Sequence, residues 1–316
     1  LVGTGKLSQN FLGSAIQDVD GAVLWSVLSR DQRRASSFAK RHRALSPNPG
    51  FCDQDKFLSD KNLDAVIIAT PDGLHAKQTI AAAKRGKHVL VQKPMATSIE
   101  DAELMIRVCE QSHVALAVGY HLRWHAGHEL LRNQLESGQL GELYHARAHW
   151  SFRADNAFGW HNQENLGRWW SLAGVGTHLI DWVRWLFIPT CGNICRADSI
   201  ISRGRLGHCG DEAATVNLQF ESGATAQIFS SVLTEGPTRA EIIGSSGYAY
   251  CENTFGQTGG GLIEISGNRL NFEFINPYAR EIDDFVSAIN NDRKPKVSGE
   301  EGLNNIEILC QICPSN

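Results

Sequence analysis

The stretch Gly3-Thr4-Gly5-Lys6-Leu7-Ser8 directly follows Leu1 and Val2 at the start of the chain. It fits G-x-G-x-x-S, a variant of the turn that joins a buried strand to a helix in dinucleotide-binding folds. Its glycines allow a tight turn and bring backbone N–H groups close to a pyrophosphate, while the next helix contributes its positive end. An ordinary glycine turn is the alternative. The helix and strand patterns that follow favour a nucleotide site with contacts from Gly3, Gly5, Leu7 and Ser8.

Apolar runs alternate with helical spacing through the first 120 residues. Runs suited to buried strands lie at 22–28, 65–69, 88–91 and 114–118. Stretches with helical spacing lie between them, at 11–16, 32–42, 75–85 and 98–111. Strands that alternate with helices indicate right-handed crossovers and a parallel sheet covered on both faces. We predict a doubly wound α/β domain for residues 1–119, whose first strand would begin a few residues upstream of Leu1.

The composition excludes several classes of protein. The chain has 316 residues, enough for roughly two domains, with 42% apolar and 20% charged residues, which is too apolar for a disordered chain. A net charge of -4 gives no reason to expect nucleic acid or a membrane surface as partner. No apolar run approaches the ~20 residues of a membrane span. Eight cysteines without a second C-x-x-C pair predict free thiols in the cytoplasm and no metal site.

The pattern changes after Tyr120. Helical spacing returns at 129–136, 176–187 and 279–290, and again from about 299. Strand-like segments separated by turn residues lie at 213–220, 224–232, 239–244, 248–252 and 262–266. These features predict that residues 120–316 form an α+β domain with a mostly antiparallel open sheet, whose last helix could pack back on the first domain.

The end of the second predicted strand bears on the choice between NAD and NADP. An NAD site usually has an acidic residue there, which accepts hydrogen bonds from the ribose hydroxyls. Here the strand ends in Ser29-Arg30, and Arg34 follows one helical turn later. A guanidinium can hold a 2'-phosphate through paired charge-assisted hydrogen bonds. The residues therefore favour NADP(H) over NAD, with a solvated arginine face as the alternative.

Three further motifs accompany the glycine turn. ATPDGLH at 69–75 and GKHVLVQKP at 86–94 follow predicted strands, so both lie at the carboxyl edge of the sheet, where ligands bind. GVGTHLID spans 174–181. Together these motifs resemble the glucose-fructose oxidoreductase / inositol dehydrogenase / MocA family, and the resemblance extends over nearly the whole chain. It implies a Rossmann domain, a second domain with a large open sheet, and hydride transfer between a nicotinamide and a sugar, polyol or inositol.

The resemblance also implies site residues. The family motif E-K-P corresponds to Gln92-Lys93-Pro94, so Lys93 is the predicted catalytic amine, with an exposed loop lysine as the alternative. The family motif D-x-G-x-H has its histidine at His178, the predicted proton donor or acceptor, with a packed core histidine as the alternative. Further cofactor contacts are implied for Thr70, Pro71, Leu74, His75, Gln92, Lys93, Trp160 and His161.

Two positions depart from the family pattern. Gln92 stands in place of the acid of E-K-P, and Gly174 stands in place of the aspartate four residues before the histidine. Glycine cannot bond a substrate through a side chain, so either other groups bind it or ordinary dehydrogenase activity has been lost. Asp155, Glu164 or Asp181 could supply a compensating carboxylate.

The segment after the last Rossmann strand is a second source of substrate contacts. His121 and Arg123 lie at the domain junction, which suits a cleft lining. With Trp160, His178 and Asp181 they are the predicted substrate residues. Aromatic rings stack on sugar faces and Arg or His donates to hydroxyls, although core packing explains any single tryptophan equally well.

These features together predict an NADP(H)-dependent oxidoreductase acting on a sugar, polyol or inositol-like substrate. Lys93 and His178 are expected to converge on one nicotinamide from the two domains. A dinucleotide-sensing regulator without turnover and a trans-dihydrodiol dehydrogenase are the alternatives. The uncovered face of the open sheet predicts a homodimer or homotetramer.

Overall fold

The structure is a computed structural model that describes residues 1–154, 168–206 and 210–314. The chain divides into two compact units. The first comprises Leu1–Gly119 with Tyr278–Ile306, and the second comprises Tyr120–Pro277 with Glu307–Asn316.

The first unit is built on a parallel sheet. Its strands are β1 (Val27–Leu28), β2 (Gly50–Phe51), β3 (Ala65–Ile68), β4 (His88–Gln92) and β5 (Leu116–Gly119). Val2 pairs in parallel with both Leu28 and Ile68 and so joins β1 to β3. The order β2, β1, Val2, β3, β4, β5 is that of a doubly wound dinucleotide-binding sheet, which confirms the predicted fold class.

The structure corrects the prediction for one strand of this sheet and adds a strand that was not predicted. The strand expected at 22–28 is limited to β1, because the carbonyls of Leu24 and Trp25 accept hydrogen bonds from Leu45 and Ser46 outside the regular ladder. Strand β2 was not predicted, because its two residues are too few to form a recognisable apolar run.

Helices connect the strands of this sheet. Their bounds are α1 (Gly13–Ala15, flanked without a break by helical turns Ser8–Leu12 and Ile16–Asp18), α2 (Gln32–Arg41), α3 (Gln54–Leu58), α4 (His75–Ala83) and α5 (Ile99–Gln111). Side chains cap three of them. The Asp31 carboxylate accepts from the Arg34 amide, the Asp53 carboxylate accepts from the Asp55 and Lys56 amides, and the Ser98 hydroxyl accepts from the Asp101 amide.

Helix α8 (Pro277–Asn290) belongs, apart from Pro277, to the first unit. Its apolar stripe of Tyr278, Ile282 and Phe285 packs in the same buried cluster as the α1 segment and the sheet. The sequence predicted a single second domain of residues 120–316, of which the last helix could pack back on the first domain. The structure instead groups the whole segment 278–306 with the first unit.

The second unit contains an eight-stranded sheet. Its strands are β6 (Leu143–Ser151), β7 (Ile194–Ser202), β8 (Ala213–Phe220), β9 (Thr225–Ser231), β10 (Arg239–Gly244), β11 (Gly247–Glu252), β12 (Leu262–Ile265) and β13 (Asn268–Arg269). They lie in the order β13, β12, β11, β10, β6, β9, β8, β7, and all neighbours are antiparallel except β6 and β9. This large, mostly antiparallel sheet confirms the predicted α+β class.

The second unit also contains helices. They are α6 (Ala126–Glu136), α7 (Thr177–Cys191) and part of α9 (Gly299–Ile312), and short helical turns His121–Trp124 and Leu172–Gly176 precede α6 and α7. The α7 residues Leu179, Val183 and Leu186 are fully buried. Within the described ranges, no helix combines the length and apolarity needed to cross a bilayer.

Candidate active site

The glycine turn lies between the ends of β1 and β3. The Gly3 amide donates to the Leu28 carbonyl over 2.9 Å, and Gly3 has a φ of +98°. A Cβ at Gly3 would lie 2.5 Å from the Ala69 carbonyl oxygen, so only glycine fits here. At Gly5, by contrast, a Cβ would meet no atom within 4 Å. The turn is therefore tight against the sheet and open above Gly5, which fits a pyrophosphate approaching the backbone.

Residues predicted to select the nucleotide surround this turn. The Ser29 hydroxyl lies 3.0 Å from the Thr4 hydroxyl, and the Arg34 guanidinium donates to the Thr4 carbonyl over 3.1 Å. Arg30 is exposed beside them. Asp31 is engaged as the cap of α2, where its carboxylate accepts from the Arg34 amide over 2.9 Å. The tip of β1 therefore presents guanidinium groups while its nearest carboxylate is occupied.

His75 connects the two loops at the next strand ends. Its Nε2 lies 2.8 Å from the Thr70 carbonyl and its Nδ1 lies 2.8 Å from the Pro94 carbonyl. Burial lowers the pKa of His75, so the neutral ring has a single N–H to donate to one of these carbonyls. Among the other predicted cofactor contacts here, the Thr70 hydroxyl donates to Gln78, whereas Leu74 is exposed.

Lys93 follows β4 at the carboxyl edge of the sheet. Burial lowers the pKa of its amine to about 8, against the opposing effect of the Asp72 carboxylate. An amine of this kind changes charge close to neutral pH, which suits acid–base chemistry.

Gln92, the residue before this lysine, forms a hydrogen bond with the carboxyl group of Glu281, which was not among the predicted site residues. Its Nε2 donates to Glu281 Oε1 over 3.1 Å, and both side chains are buried. Burial raises the pKa of Glu281 to about 8. A sequence signal existed, because Glu281 falls between Tyr278 and Phe285 at helical spacing on an apolar stripe.

His178 lies on α7 in the second unit, in an aromatic environment. Its ring stacks on Trp150 with centroids 5.6 Å apart, and His121 meets it edge-on at 4.6 Å. Tyr120 lies edge-on at 5.8 Å, and its hydroxyl bonds the Thr177 hydroxyl over 2.8 Å. Two predicted substrate residues, His121 and His178, are therefore adjacent within this unit.

Two other predicted substrate residues bond each other. Arg123 donates to the Asp181 carboxylate over 2.8 and 2.6 Å, and both side chains are buried. Asp181 lies one turn beyond His178, so this bidentate pair ties the turn His121–Trp124 to α7. The pair therefore joins the two segments that carry His121 and His178.

Phe152 occupies the space beside Gly174. A Cβ at Gly174 would lie 3.2 Å from Phe152 Cε1, so an aromatic ring stands where the family aspartate would project. Trp160 and His161, together with the alternative carboxylates Asp155 and Glu164, lie outside the described residues.

Comparison with known proteins identifies the family. Residues 1–120 match GFO_IDH_MocA, described as an oxidoreductase family with an NAD-binding Rossmann fold, and residues 128–250 match the GFO/IDH/MocA C-terminal domain. The chain belongs to the GFO/IDH/MocA oxidoreductase family. Membership confirms the resemblance inferred from the four motifs. The chain is a pyridine-nucleotide-dependent dehydrogenase or reductase that acts on CH–OH groups.

Relatives and solved structures of this GFO/IDH/MocA oxidoreductase agree with that assignment. A 1,5-anhydro-D-fructose reductase of Ensifer adhaerens is 26% identical over 310 residues, 96% of this chain and 91% of that protein. A D-xylose 1-dehydrogenase (NADP(+)) of Haloferax volcanii is 29% identical, covering 100% of this chain and 96% of that protein. The structure of an aldose-aldose oxidoreductase from Caulobacter crescentus, complexed with glycerol, shares the fold with a TM-score of 0.90, 22% identity and coverage of 98% and 93%.

Proposed function

We propose that this protein transfers hydride between NADP(H) and a carbon bearing a hydroxyl or carbonyl group of a sugar, polyol or inositol-like substrate. The observation that carries the proposal is Lys93, an amine with a pKa of about 8 that follows β4 at the same carboxyl edge of the sheet as the open glycine turn. Gly3, Gly5 and the start of the α1 segment would hold the pyrophosphate. When bound, the nicotinamide supplies or accepts the hydride.

The chain itself supplies position and proton transfer. The Lys93 ammonium would donate a hydrogen bond to the substrate oxygen, and thereby stabilise negative charge that develops there during carbonyl reduction. The His178 imidazole would give a proton to that oxygen during reduction and take one from the hydroxyl during oxidation. The Arg123–Asp181 pair and Trp150 would keep the imidazole in place.

Turnover of the Lys93→Met and His178→Asn variants tests this mechanism. We expect kcat to fall by about 10²–10⁴-fold in each variant, the usual contribution of a positioned acid or base. The dissociation constant for NADPH should change little. Lys84→Met, at an exposed position just after α4, is the matched control and should behave as the wild type. Unchanged turnover in Lys93→Met would reject the mechanism.

The preference for NADP(H) rests on Ser29, Arg30 and Arg34. A 2'-phosphate would receive charge-assisted hydrogen bonds from the Arg30 and Arg34 guanidinium groups, each worth about 1.5–3 kcal/mol. We expect the Arg30→Ala/Arg34→Ala double variant to bind NADPH roughly 10- to 100-fold more weakly and NADH almost as before. Lys40→Ala, at the opposite end of α2, is the control. Equal losses for both nucleotides would contradict the assignment.

The names of relatives and the surroundings of His178 support a carbohydrate substrate. Relatives act on an anhydro sugar and on xylose by their names. The Trp150 face and the His121 imidazole combine an apolar surface with a polar group, the pairing that sugars require. A panel of aldoses, anhydro sugars and inositols, monitored by nicotinamide absorbance, would identify the class. No turnover on any of them would reject it.

The Gly174–Phe152 contact favours a second candidate, a less polar diol such as a trans-dihydrodiol. Phe152 stands close to the helical turn that leads to His178, where the family has a carboxylate. If this ring excludes polar substrates, the Gly174→Asp/Phe152→Ala double variant should gain kcat/KM for polyols and lose it for apolar diols. Opposite or absent changes would eliminate this candidate.

We also propose a homodimer or homotetramer assembled through the outer face of the eight-stranded sheet. Arg147, Gln227 and Phe229 are adjacent on this face, opposite to the side that carries buried Ala148 and Ile228. A cytoplasmic location is proposed because the cysteines of the described ranges are all free thiols. Cell fractionation tests the location.

A further inference from the structure

A buried amide–carboxyl pair lies directly beside the lysine. Gln92 ends β4 and its backbone pairs with Gly119 in β5. The Gln92 side chain is so close to Gly119 that a Cβ there would lie 2.4 Å from Nε2. From this position Nε2 donates to Glu281 Oε1 over 3.1 Å. The Gln92 side chain therefore has one well-defined place, between a strand and a helix of the first unit.

The carboxyl group of Glu281 is unfavourable for stability at this place. Glu281 is 3% exposed and lies on the α8 stripe that includes Tyr278, Ile282 and Phe285. Among the described residues, none forms a hydrogen bond with Oε2. Burial raises its pKa to about 8, so the group is largely a neutral acid at pH 7. An apolar side chain of similar size would pack here at lower cost, which indicates a role other than stability.

We propose that Glu281 is a positioning residue for Lys93, acting through Gln92. This inference rests on the proposed function, in which the Lys93 amine meets the substrate oxygen. Glu281 holds the Gln92 side chain, and the held side chain fixes the main chain at the point where β4 ends and Lys93 begins. On the other side, the His75 ring lies 2.8 Å from the Pro94 carbonyl. The lysine therefore lies between the Gln92–Glu281 hydrogen bond on one side and the close approach of the His75 ring to Pro94 on the other.

Four single variants and the Glu281→Leu/Gln92→Leu double variant test the proposal. Glu281→Leu and Gln92→Leu remove the hydrogen bond but keep apolar volume, Glu281→Gln keeps an acceptor for Gln92, and Asp283→Leu at an exposed α8 position is the control. The readouts are thermal midpoint, NADPH dissociation constant, kcat, and hydrogen exchange by mass spectrometry of the backbone amides in segment 92–97, which are those of residues 92, 93 and 95–97.

We expect Glu281→Leu to melt no lower than the wild type. Its kcat should fall by about 10- to 100-fold, because small misplacements of a catalytic group have effects of this size. Exchange of amides 92–97 should accelerate in it. Gln92→Leu should have the same effects on kcat and on exchange. The double variant should lose no more kcat than either single variant, and Glu281→Gln should have a kcat within about threefold of the wild type.

Wild-type kcat and exchange in Glu281→Leu would overturn the inference, as would additive losses in the double variant. If Glu281→Leu does not fold, Gln92→Leu decides the question by the same two readouts. Unchanged turnover in Lys93→Met would instead reject the proposed function. The exchange measurement needs no substrate, so the two failures are distinguishable.

Discussion

At the scale of single residues, the pKa of Lys93 has a direct kinetic consequence. Below about pH 8 the amine is a positively charged ammonium that can donate a hydrogen bond to a carbonyl oxygen. Above about pH 8 the amine loses this charge. We expect kcat/KM for carbonyl reduction to decline as pH rises through about 8, as measured by initial rates. Lys93→Arg keeps its charge throughout, so its residual activity should lack this decline. A wild-type profile that stays flat to pH 9.5 would contradict the assignment.

Glu281 makes stability depend on pH in the same range. Its pKa in the folded chain is about 8 against an ordinary 4.5, so folding favours the protonated form. This contribution is complete below pH 4.5 and is lost as pH rises through about 8. Each unit of difference between the pKa values of the folded and unfolded chain corresponds to roughly 1.4 kcal/mol in the free energy of unfolding.

We therefore expect Glu281→Gln to flatten the fall in unfolding free energy between pH 5 and pH 8. Urea denaturation at both values measures it, with exposed Asp283→Asn as the control. If the wild type and Glu281→Gln lose the same stability over this range, the carboxyl is not buried as described.

At the scale of elements, one carboxylate holds the start of the segment that carries His178. Asp211 accepts hydrogen bonds from the Trp170 amide, the Ser171 hydroxyl and the Leu172 amide, at 2.7, 2.6 and 2.7 Å. These are the free donors at the start of the helical turn Leu172–Gly176, which runs into α7. Burial nevertheless raises the pKa of Asp211, so these hydrogen bonds only partly offset desolvation.

Removal of this cap should destabilise the second unit. We expect Asp211→Ala to lower the free energy of unfolding by about 2–4 kcal/mol, because several buried donors lose their acceptor. Asp211→Asn, which keeps one acceptor oxygen, should cost less, and exposed Asp198→Ala should cost almost nothing. Urea denaturation measures all three. A change below about 0.5 kcal/mol in Asp211→Ala would show that the cap is dispensable.

At the scale of the whole molecule, the open sheet face leads to a prediction about assembly. Light scattering after size-exclusion chromatography should give two or four chains per particle for the wild type. Phe229→Glu places a charge at the centre of this face and should shift the mass to that of one chain. Leu45→Glu, at an exposed position of the first unit, should leave assembly unchanged. A wild-type monomer at micromolar concentration would reject the proposal.

Local pattern predicted most strands and helices of both units. The segments 213–220 and 239–244 match β8 and β10 residue for residue, because each strand alternates buried and exposed side chains between clear turns. β6 and β7 escaped prediction. β7 is mostly exposed and has no buried apolar run, and β6 mixes histidine and arginine with small buried alanines.

The sequence by itself determined the family, the fold class and the glycine turn, because these depend on neighbours a few residues apart. Gly3 must be glycine whatever lies far along the chain, once its turn packs on β3. Only the tertiary structure decided that Glu281 meets Gln92, that Arg123 bonds Asp181 rather than standing free, and that Phe152 fills the space at Gly174. These contacts join residues that are distant in sequence, and side-chain burial, which no local pattern encodes, sets their chemistry.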